Sequence, residues 1–391
     1  MSHTNPQNLA AKTGLTILYH HRTRARDGQS VHIDEMIDAL RAEGHTVIVV
    51  EPERVDAMAS TIERRALPRF AYELAELAYS IVEYAKLVRA ALRHRPDGFY
   101  QRANLYMLSG LWLARTFRLP YLLEVNAPLA VERGKFGGLS WPALARWSEN
   151  AMWRGASRVL PVTGVLARFV TAAGVPLSHI RVVPNGVDCG KFVAMDAQKA
   201  KEALGLRAPL VLGFVGYVRE WHGLEQVIDI LASEPALKDA HLLIVGDGPA
   251  REPLEARARA AGVADRMTIA GVVGREDLPR YISAFDIALQ PEVTEYASPL
   301  KLFEYMAMRR AIVAPATENI REVLEHGVDS VLFKKSDMAA FQQAILHLAS
   351  DDGLRARLGD GAAAKIAARE MTWRGNARRA ADMIVSLRRS N

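Results

Sequence analysis

Short apolar runs alternate with longer amphipathic stretches along nearly the whole 391-residue chain. In the first half the runs are LTILYH (15–20), TVIVV (46–50), GFYQ (98–101), YLLEV (121–125) and RVLPV (158–162). In the second half they are LVLGFVG (210–216), HLLIVG (241–246), MTIAGV (267–272), DIALQP (286–291), AIVAP (311–315) and SVLF (330–333). Most are rich in Val, Ile and Leu with no apolar–polar alternation, the pattern of parallel strands buried on both faces. The stretches between them repeat apolar positions at helical spacing. Strands alternating with helices predict right-handed βαβ crossovers and doubly wound sheets.

The alternation breaks at RVVPNGVDCGKF (181–192), where Pro184 and Asn185-Gly186 are turn residues and a polar helical stretch, DAQKAKEALGL, precedes a new series of strands. The predicted organisation is a loose tail over residues 1–14, one domain over 15–188, a second over 189–373, and a terminal helix over 374–391 that crosses back to the first. The fold class is α/β, with two Rossmann-like domains facing across a cleft and ligands bound beyond the strand carboxyl ends. The stretch RFAYELAELAYSIVEYAKLVRAALRHR (69–95) is apolar around much of its circumference and predicts a helix buried against the first sheet. Arg64, Arg65, Arg69, Arg89, Arg93 and Arg95 gather at its ends. Docking on an anionic membrane is the alternative, at ~1 kcal/mol for each such charge near the lipid.

Composition narrows the classes. Half the residues are hydrophobic and 7% aromatic, which is globular usage. The single cysteine, Cys189, excludes an internal disulfide and suits a reducing cytoplasm. The opening MSHTNPQNLAAKTG has no apolar signal core, and no run approaches the ~18–20 apolar residues of a bilayer span. A net charge of +6 favours anionic company. The basic residues are scattered and form no nucleic-acid motif, so nucleic acid is not expected as a partner. GDGPAR (246–251) follows a strand but lacks the third glycine and the acidic residue of a dinucleotide fingerprint. Gly246 and Gly248 are read as a tight turn, either lining a nucleotide pocket or purely structural. There is no P-loop, no G-x-S-x-G elbow and no D-x-D triplet, and His20, His21 and His32 have no partner at metal-ligand spacing.

The stretch SPLKLFEYMAMRRAIVAP (298–315) carries the most chemistry. Ser298 reads as an N-cap and Pro299 as the first helical residue, where its missing N–H costs nothing. The first-turn amides and the helix dipole make an anion site, to which Lys301 adds a full charge. Glu304 lies three residues on, beside the apolar stripe of Leu300, Phe303 and Ala307. A carboxylate there suits sugar hydroxyls, since it accepts two at once. Phosphate at the tip with a diol one turn in describes a nucleotide or nucleotide-sugar; the same spacing also describes an exposed Lys–Glu pair.

At these residues the chain resembles the family 4 retaining glycosyltransferases of the GT-B fold. The likeness runs through LYHHRTRARDGQSVH, LEVNAPLAVER, VVPNGVD, GFVGYVREWHG, VGDGP and SPLKLFEYMA to the final helix. It implies transfer of a hexose-type sugar from a nucleoside-diphosphate sugar to a hydroxyl of a glycan, lipid-linked or small-molecule acceptor, with no metal and no cofactor. It places Glu304 on the ribose, and Ser298, Pro299, Leu300 and Lys301 on the diphosphate and donor sugar. A second glutamate usually precedes the first by eight residues; here that position is Tyr296, with Glu295 next to it, so either takes the donor sugar. The family's two diphosphate cations correspond to Tyr217 and His222, with Arg219 between them after Gly216. Arg219 keeps a fork suited to phosphate, and His222 is expected to donate a hydrogen bond with a pH-dependent charge. Val273 lies where the family contacts the base through its backbone. On the acceptor side are Gly28 in the first loop, His32, Ser30 as a helix cap, and Asn126 as an acceptor or catalytic contact beside Glu124. Arg309 stands where a glycine commonly ends the helix, at a cost of ~1 kcal/mol in a left-handed conformation. An epimerase of related fold and a non-enzymatic glycan- or lipid-binding module stay open as alternatives.

Overall fold

The computed structural model describes residues 14–23, 28–52, 68–135 and 138–390. Apart from Gly14, the expected tail lies outside these, as do Arg24–Asp27 and Arg64-Arg65. The chain divides into two units. The first holds the chain up to Pro161, Ala167–Val183 and everything from Arg374 on; the second holds Val162–Leu166 and Pro184–Trp373.

The first unit is built on five parallel strands, β1 (Thr16–His20), β2 (Thr46–Val50), β3 (Gly98–Arg102), β4 (Tyr121–Val125) and β5 (Arg158–Pro161). They lie in the order β2-β1-β3-β4-β5. β3 and β4 are buried throughout, the polar Gln101, Arg102 and Glu124 included. Between β1 and β3 the strand order reverses, the place where open parallel sheets bind ligands beyond their carboxyl ends. The terminal helix, Trp373–Ser390, belongs here from Arg374 on. Ile384 packs so closely on Gly98 that a Cβ there would stand 2.7 Å from it, and Arg388 pairs with Asp97.

The Arg69–His94 helix corrects the sequence reading. Its inward face carries Glu73, Ser80, Glu83, Leu87 and Ala91, whereas Phe70, Leu74, Ile81, Val82 and Leu92 are exposed. Polarity faces inward because the unit supplies partners for it. Arg22 grips Glu83 with both arms, at 2.7 and 2.6 Å, and Ser80 donates to the Tyr106 carbonyl at 2.6 Å. Burial works to raise the Glu83 carboxyl, but hydrogen bonds from His20 and Arg22 outweigh it and bring it down to about 2.

The second unit has six parallel strands, β6 (Leu210–Val215), β7 (Ala240–Val245), β8 (Met267–Ile269), β9 (Ile287–Leu289), β10 (Ala311–Pro315) and β11 (Val331–Phe333). Their order is β11-β10-β9-β6-β7-β8, with the reversal between β6 and β9. Two apolar layers sandwich the sheet, one holding Val211, Phe285, Phe303 and Ile312, the other Leu212, Phe214, Ile244 and Val313. Phe285 fills the space a side chain at Gly213 would take, 2.0 Å from an added Cβ. The Leu300–Ala307 helix follows β9 and ends at Arg309, which adopts the left-handed φ of 54° expected at that position.

Candidate functional site

The reversal between β6 and β9 assembles three loops at one end of the second sheet. β6 runs into Gly216, whose N–H donates to the Val245 carbonyl at 2.9 Å. β7 runs into Gly246, whose N–H donates to the Gly271 carbonyl at 2.8 Å. A Cβ on Gly246 would stand 2.0 Å from the Gly216 oxygen, and one on Gly248 2.2 Å from the Val218 oxygen. Gly216 and Gly246 also sit at φ 146° and 136°, outside the range of ordinary side chains. The two backbones touch only because these positions are bare.

The Leu300–Ala307 helix starts beside this junction. The Lys301 ammonium lies 3.7 Å from the centre of the Phe214 ring, in the range of a strong cation–π contact. An added Cβ on Gly216 would be 3.0 Å from Lys301 Nζ. Burial pushes the Lys301 amine down to about 7, with the Glu304 charge pulling the other way. Phe214 also meets His222 edge-on, with centroids 5.1 Å apart. The Tyr305 hydroxyl, accepting from the Val215 N–H at 2.8 Å, fixes the helix to the end of β6.

Glu304 is buried, one turn behind Lys301. Arg275, from the segment after β8, donates to its Oε1 at 2.6 Å and lies over the Phe192 ring, 5.0 Å from the centroid. Among the described residues no other hydrogen bond reaches this carboxylate. A half-buried cation on an aromatic face, amides without carbonyls a turn earlier, and a buried carboxylate together suit a phosphorylated polyol.

Several expected residues fall elsewhere or act differently. Ser298 does not cap the helix; Pro299 flanks it, and Ser298 Oγ accepts the Asn185 N–H at 3.2 Å while Asn185 Nδ2 donates to the Ser298 carbonyl at 2.5 Å. The turn at Asn185 thereby holds the segment leading into the helix. Pro299 has no N–H, so Leu300 and Lys301 supply the first amides. Glu295 is exposed and pairs with Lys335 at 2.8 Å, while Tyr296 is half-buried and its carbonyl accepts from Thr163. Tyr217 is exposed and carries Arg219 over its ring at 5.1 Å. His222 is not a variable charge. Burial first, then Lys301 and Arg219, push its imidazole down to about 3, and its Nδ1 accepts the Arg219 N–H at 3.1 Å, leaving the proton on Nε2. It is a neutral donor. Val273 is half-buried beside Val272, which is 84% exposed.

In the first unit the helix over Gly28–Ala42 begins at Gly28, so Ser30 lies inside it rather than capping it. At the carboxyl ends of β3 and β4, Glu124 is a buried hub. It accepts from Tyr100 at 2.7 Å, Arg102 at 2.7 Å and Asn126 Nδ2 at 2.6 Å, and lies 2.9 Å from His32 Nε2. Burial works to raise this carboxyl, but His32 and Arg102 hold it well below the usual carboxylate range. Asn126 is therefore oriented by Glu124. His20 and His21 face Glu83 and Glu51.

Sequence reasoning missed Arg275, Asn185 and Phe214. Only Phe214 left a signal, as an aromatic residue closing a strand before a glycine.

Comparisons with known proteins agree with this geometry. Residues 209–351 match the family model for Glycosyl transferases group 1, and residues 26–191 that for Glycosyltransferase Family 4. The D-inositol 3-phosphate glycosyltransferase of Xylanimonas cellulosilytica is 28% identical over 374 residues, 88% of either chain. The alpha-D-kanosaminyltransferase of Streptomyces kanamyceticus is 30% identical over 228 residues, 56% of this chain and 58% of that one. Among solved structures, a UDP complex of Anabaena Alr3699/HepE superposes with a TM-score of 0.77 at 19% identity, covering 95% of this chain and all of that one. At that identity the likeness is one of fold: two Rossmann-like units of the GT-B type.

Proposed function

The chain belongs to the family 4, group 1 glycosyltransferases, and from that premise we propose that it moves a hexose-type sugar from a nucleoside-diphosphate sugar to an acceptor hydroxyl with retention and without a metal. The observation that carries this reading is the start of the Leu300–Ala307 helix, with Lys301 on Phe214 beside Gly216 and Glu304 buried one turn behind. In the reaction the bond from the anomeric carbon to the β-phosphate oxygen breaks and a bond to the acceptor oxygen forms on the same face. The acceptor proton leaves with the phosphate. Lys301, the neutral His222 donor, Arg219 and the amides of Leu300 and Lys301 stabilise the charge that builds on that phosphate. Glu304 takes the ribose. The UDP and UDP-glucose complexes of Alr3699/HepE support a uridine donor, and the inositol phosphate and 2-deoxystreptamine in the relatives' names support a polyol acceptor.

The test is calorimetric titration of the full chain with UDP-, GDP- and ADP-sugars, followed by assay for slow donor hydrolysis. Heat and hydrolysis with one of the three are expected; silence with all three overturns the reading.

The exposed face of the Arg69–His94 helix supports peripheral binding to an anionic bilayer. Phe70, Leu74, Ile81, Val82 and Leu92 are solvent-facing, with Lys86, Arg89 and Arg93 exposed on the same helix. Among the described residues no helix is long and apolar enough to cross a membrane. Co-sedimentation with phosphatidylglycerol vesicles but not with phosphatidylcholine vesicles is the expected result, and Ile81→Glu should abolish it. Equal sedimentation with both lipids would refute charge-directed docking.

A further inference from the structure

The segment between β9 and the Leu300–Ala307 helix contains a tight turn over residues 294–297. The Ala297 N–H closes it on the Thr294 carbonyl at 3.0 Å, with Glu295 and Tyr296 at the corners. Asn319, from the short helix after β10, spans this turn. Its Nδ2 donates to the Thr294 carbonyl at 3.1 Å and to the Ala297 carbonyl at 2.7 Å, one hydrogen to each. Thr163 donates to the Tyr296 carbonyl at 3.0 Å, and Asn185 Nδ2 to the Ser298 carbonyl at 2.5 Å. All three side chains are buried and belong to the second unit. Their partners are carbonyls, so only a nitrogen or a hydroxyl can face them. Among the described residues Oδ1 of Asn319 and of Asn185 is then left without a donor. Burying an amide oxygen unpaired is a cost that a small apolar side chain would avoid. What these positions supply is hydrogen-bond donors for one short stretch of backbone.

We propose that Asn319 is a positioning residue for the donor sugar: by holding both ends of the turn over 294–297, it sets the path by which the chain enters the Leu300–Ala307 helix. This inference rests on the nucleotide reading above. In that reading Glu304 takes the ribose and the amides of Leu300 and Lys301 take the diphosphate. The order ribose, diphosphate, sugar therefore runs against the chain and brings the sugar to the residues before the helix. The two halves of the site are anchored separately. The helix is fixed to β6 through the Tyr305 hydroxyl and the Val215 N–H, and Lys301 rests on Phe214; neither contact passes through Asn319. Loosening the turn shifts the surface under the sugar and leaves the nucleotide grip in place. Asn319 acts through the backbone it holds, not on the reacting atoms.

In the test, UDP, GDP and ADP are titrated calorimetrically into the full chain. Hydrolysis of the glucose, galactose, mannose and N-acetylglucosamine conjugates of the one that binds is then followed at saturation. Asn319→Ala removes both bonds, and Asn319→Asp keeps the shape but turns an oxygen toward the two carbonyls. Each variant should bind the diphosphate within about twofold of wild type and hydrolyse the conjugate at least about tenfold more slowly, as misplacement of a reacting group does. Thr163→Val, which also loses the bond from the Leu166 N–H, should slow hydrolysis in the same way, and Thr163→Ser should restore it. Hydrolysis at the wild-type rate in Asn319→Ala overturns the proposal. So does diphosphate affinity that falls in step with hydrolysis, which a merely structural role would give. Should both Asn319 variants fail to fold, the Thr163 pair decides: a valine variant as fast as wild type, or a serine variant as slow as the valine one, overturns it. A wild type that binds a diphosphate but hydrolyses none of its conjugates overturns this proposal alone. No binding of any diphosphate overturns the nucleotide reading, and this proposal with it.

Discussion

Lys301 is placed at a cost to the fold, and that cost is measurable. Burial lowers its amine from 10.5 to about 7, so the protonated form is disfavoured in the folded chain. At 1.36 kcal/mol per unit the ceiling is about 5 kcal/mol. Lys301 keeps part of its surface in water, and with that screening the penalty is about 1–3 kcal/mol. Lys301→Met keeps the length of the side chain and its contact with the Phe214 ring while removing the charge. The variant should therefore be more stable than wild type, by about 2–12 °C in Tm for a unit of this size. The sign of the pH dependence follows from proton counting. Below about pH 7 both the folded and the unfolded chain hold the proton, and the penalty is complete. Between about 7 and 10.5 the unfolded chain binds more protons than the folded one, so wild-type stability rises with pH and the advantage of the variant shrinks. Scanning calorimetry of both proteins across that window checks it. A variant less stable than wild type at the acid end, or a difference that does not change with pH, would refute the reasoning.

Lys301→Ala should lower turnover at least about tenfold, read from steady-state kinetics with the donor that binds; unchanged turnover means the helix start has been misassigned. Gly246→Ala drives a Cβ to 2.0 Å from the Gly216 oxygen. It should cost about 3 kcal/mol or more by chemical denaturation. Gly262→Ala has nothing within 4 Å and only its left-handed φ to strain, so it should cost about 1 kcal/mol. Equal costs would show that crowding at the loop junction is not what selects glycine. Glu83→Ala strands Arg22 without its buried partner and should cost about 3–5 kcal/mol in melting experiments. In wild type that contribution is present above about pH 4.5 and is lost as the pH falls through about 2, a slope absent from the variant.

The strands were legible because parallel sheets buried on both faces leave few polar residues to interrupt an apolar run. All eleven expected runs hold a strand, three with the expected bounds and most of the others shortened by one to three residues. The Arg69–His94 helix was misread for the converse reason. An apolar count around a helix assumes that the core is apolar, and here the first unit offers Arg22, Tyr106 and Ser109 to the inward face. Two glutamates and a serine then satisfy donors that no aliphatic side chain could, and the aliphatic positions turn outward. Periodicity reports which residues share a face; it does not report what that face meets.

The site divides along the same line. Lys301 and Glu304 were legible since helical spacing places them together within one element, and Gly216 and Gly246 since each follows a strand. Ser298 was misread because capping rules consider only the helix that follows, while the backbone of Asn185, more than a hundred positions earlier, competes for the same hydroxyl. Glu295 was drawn in by its distance from Glu304 along the chain, but the segment between β9 and the helix turns it toward Lys335. Arg275 left no local trace. It reaches Glu304 only because the crossovers of a doubly wound sheet bring the segment after β8 and the helix after β9 to the same end of the sheet. Contacts that join one crossover to another are therefore the part of such a site that spacing rules do not register, and the Arg275–Glu304 ion pair is the one of these that engages the carboxylate assigned to the ribose.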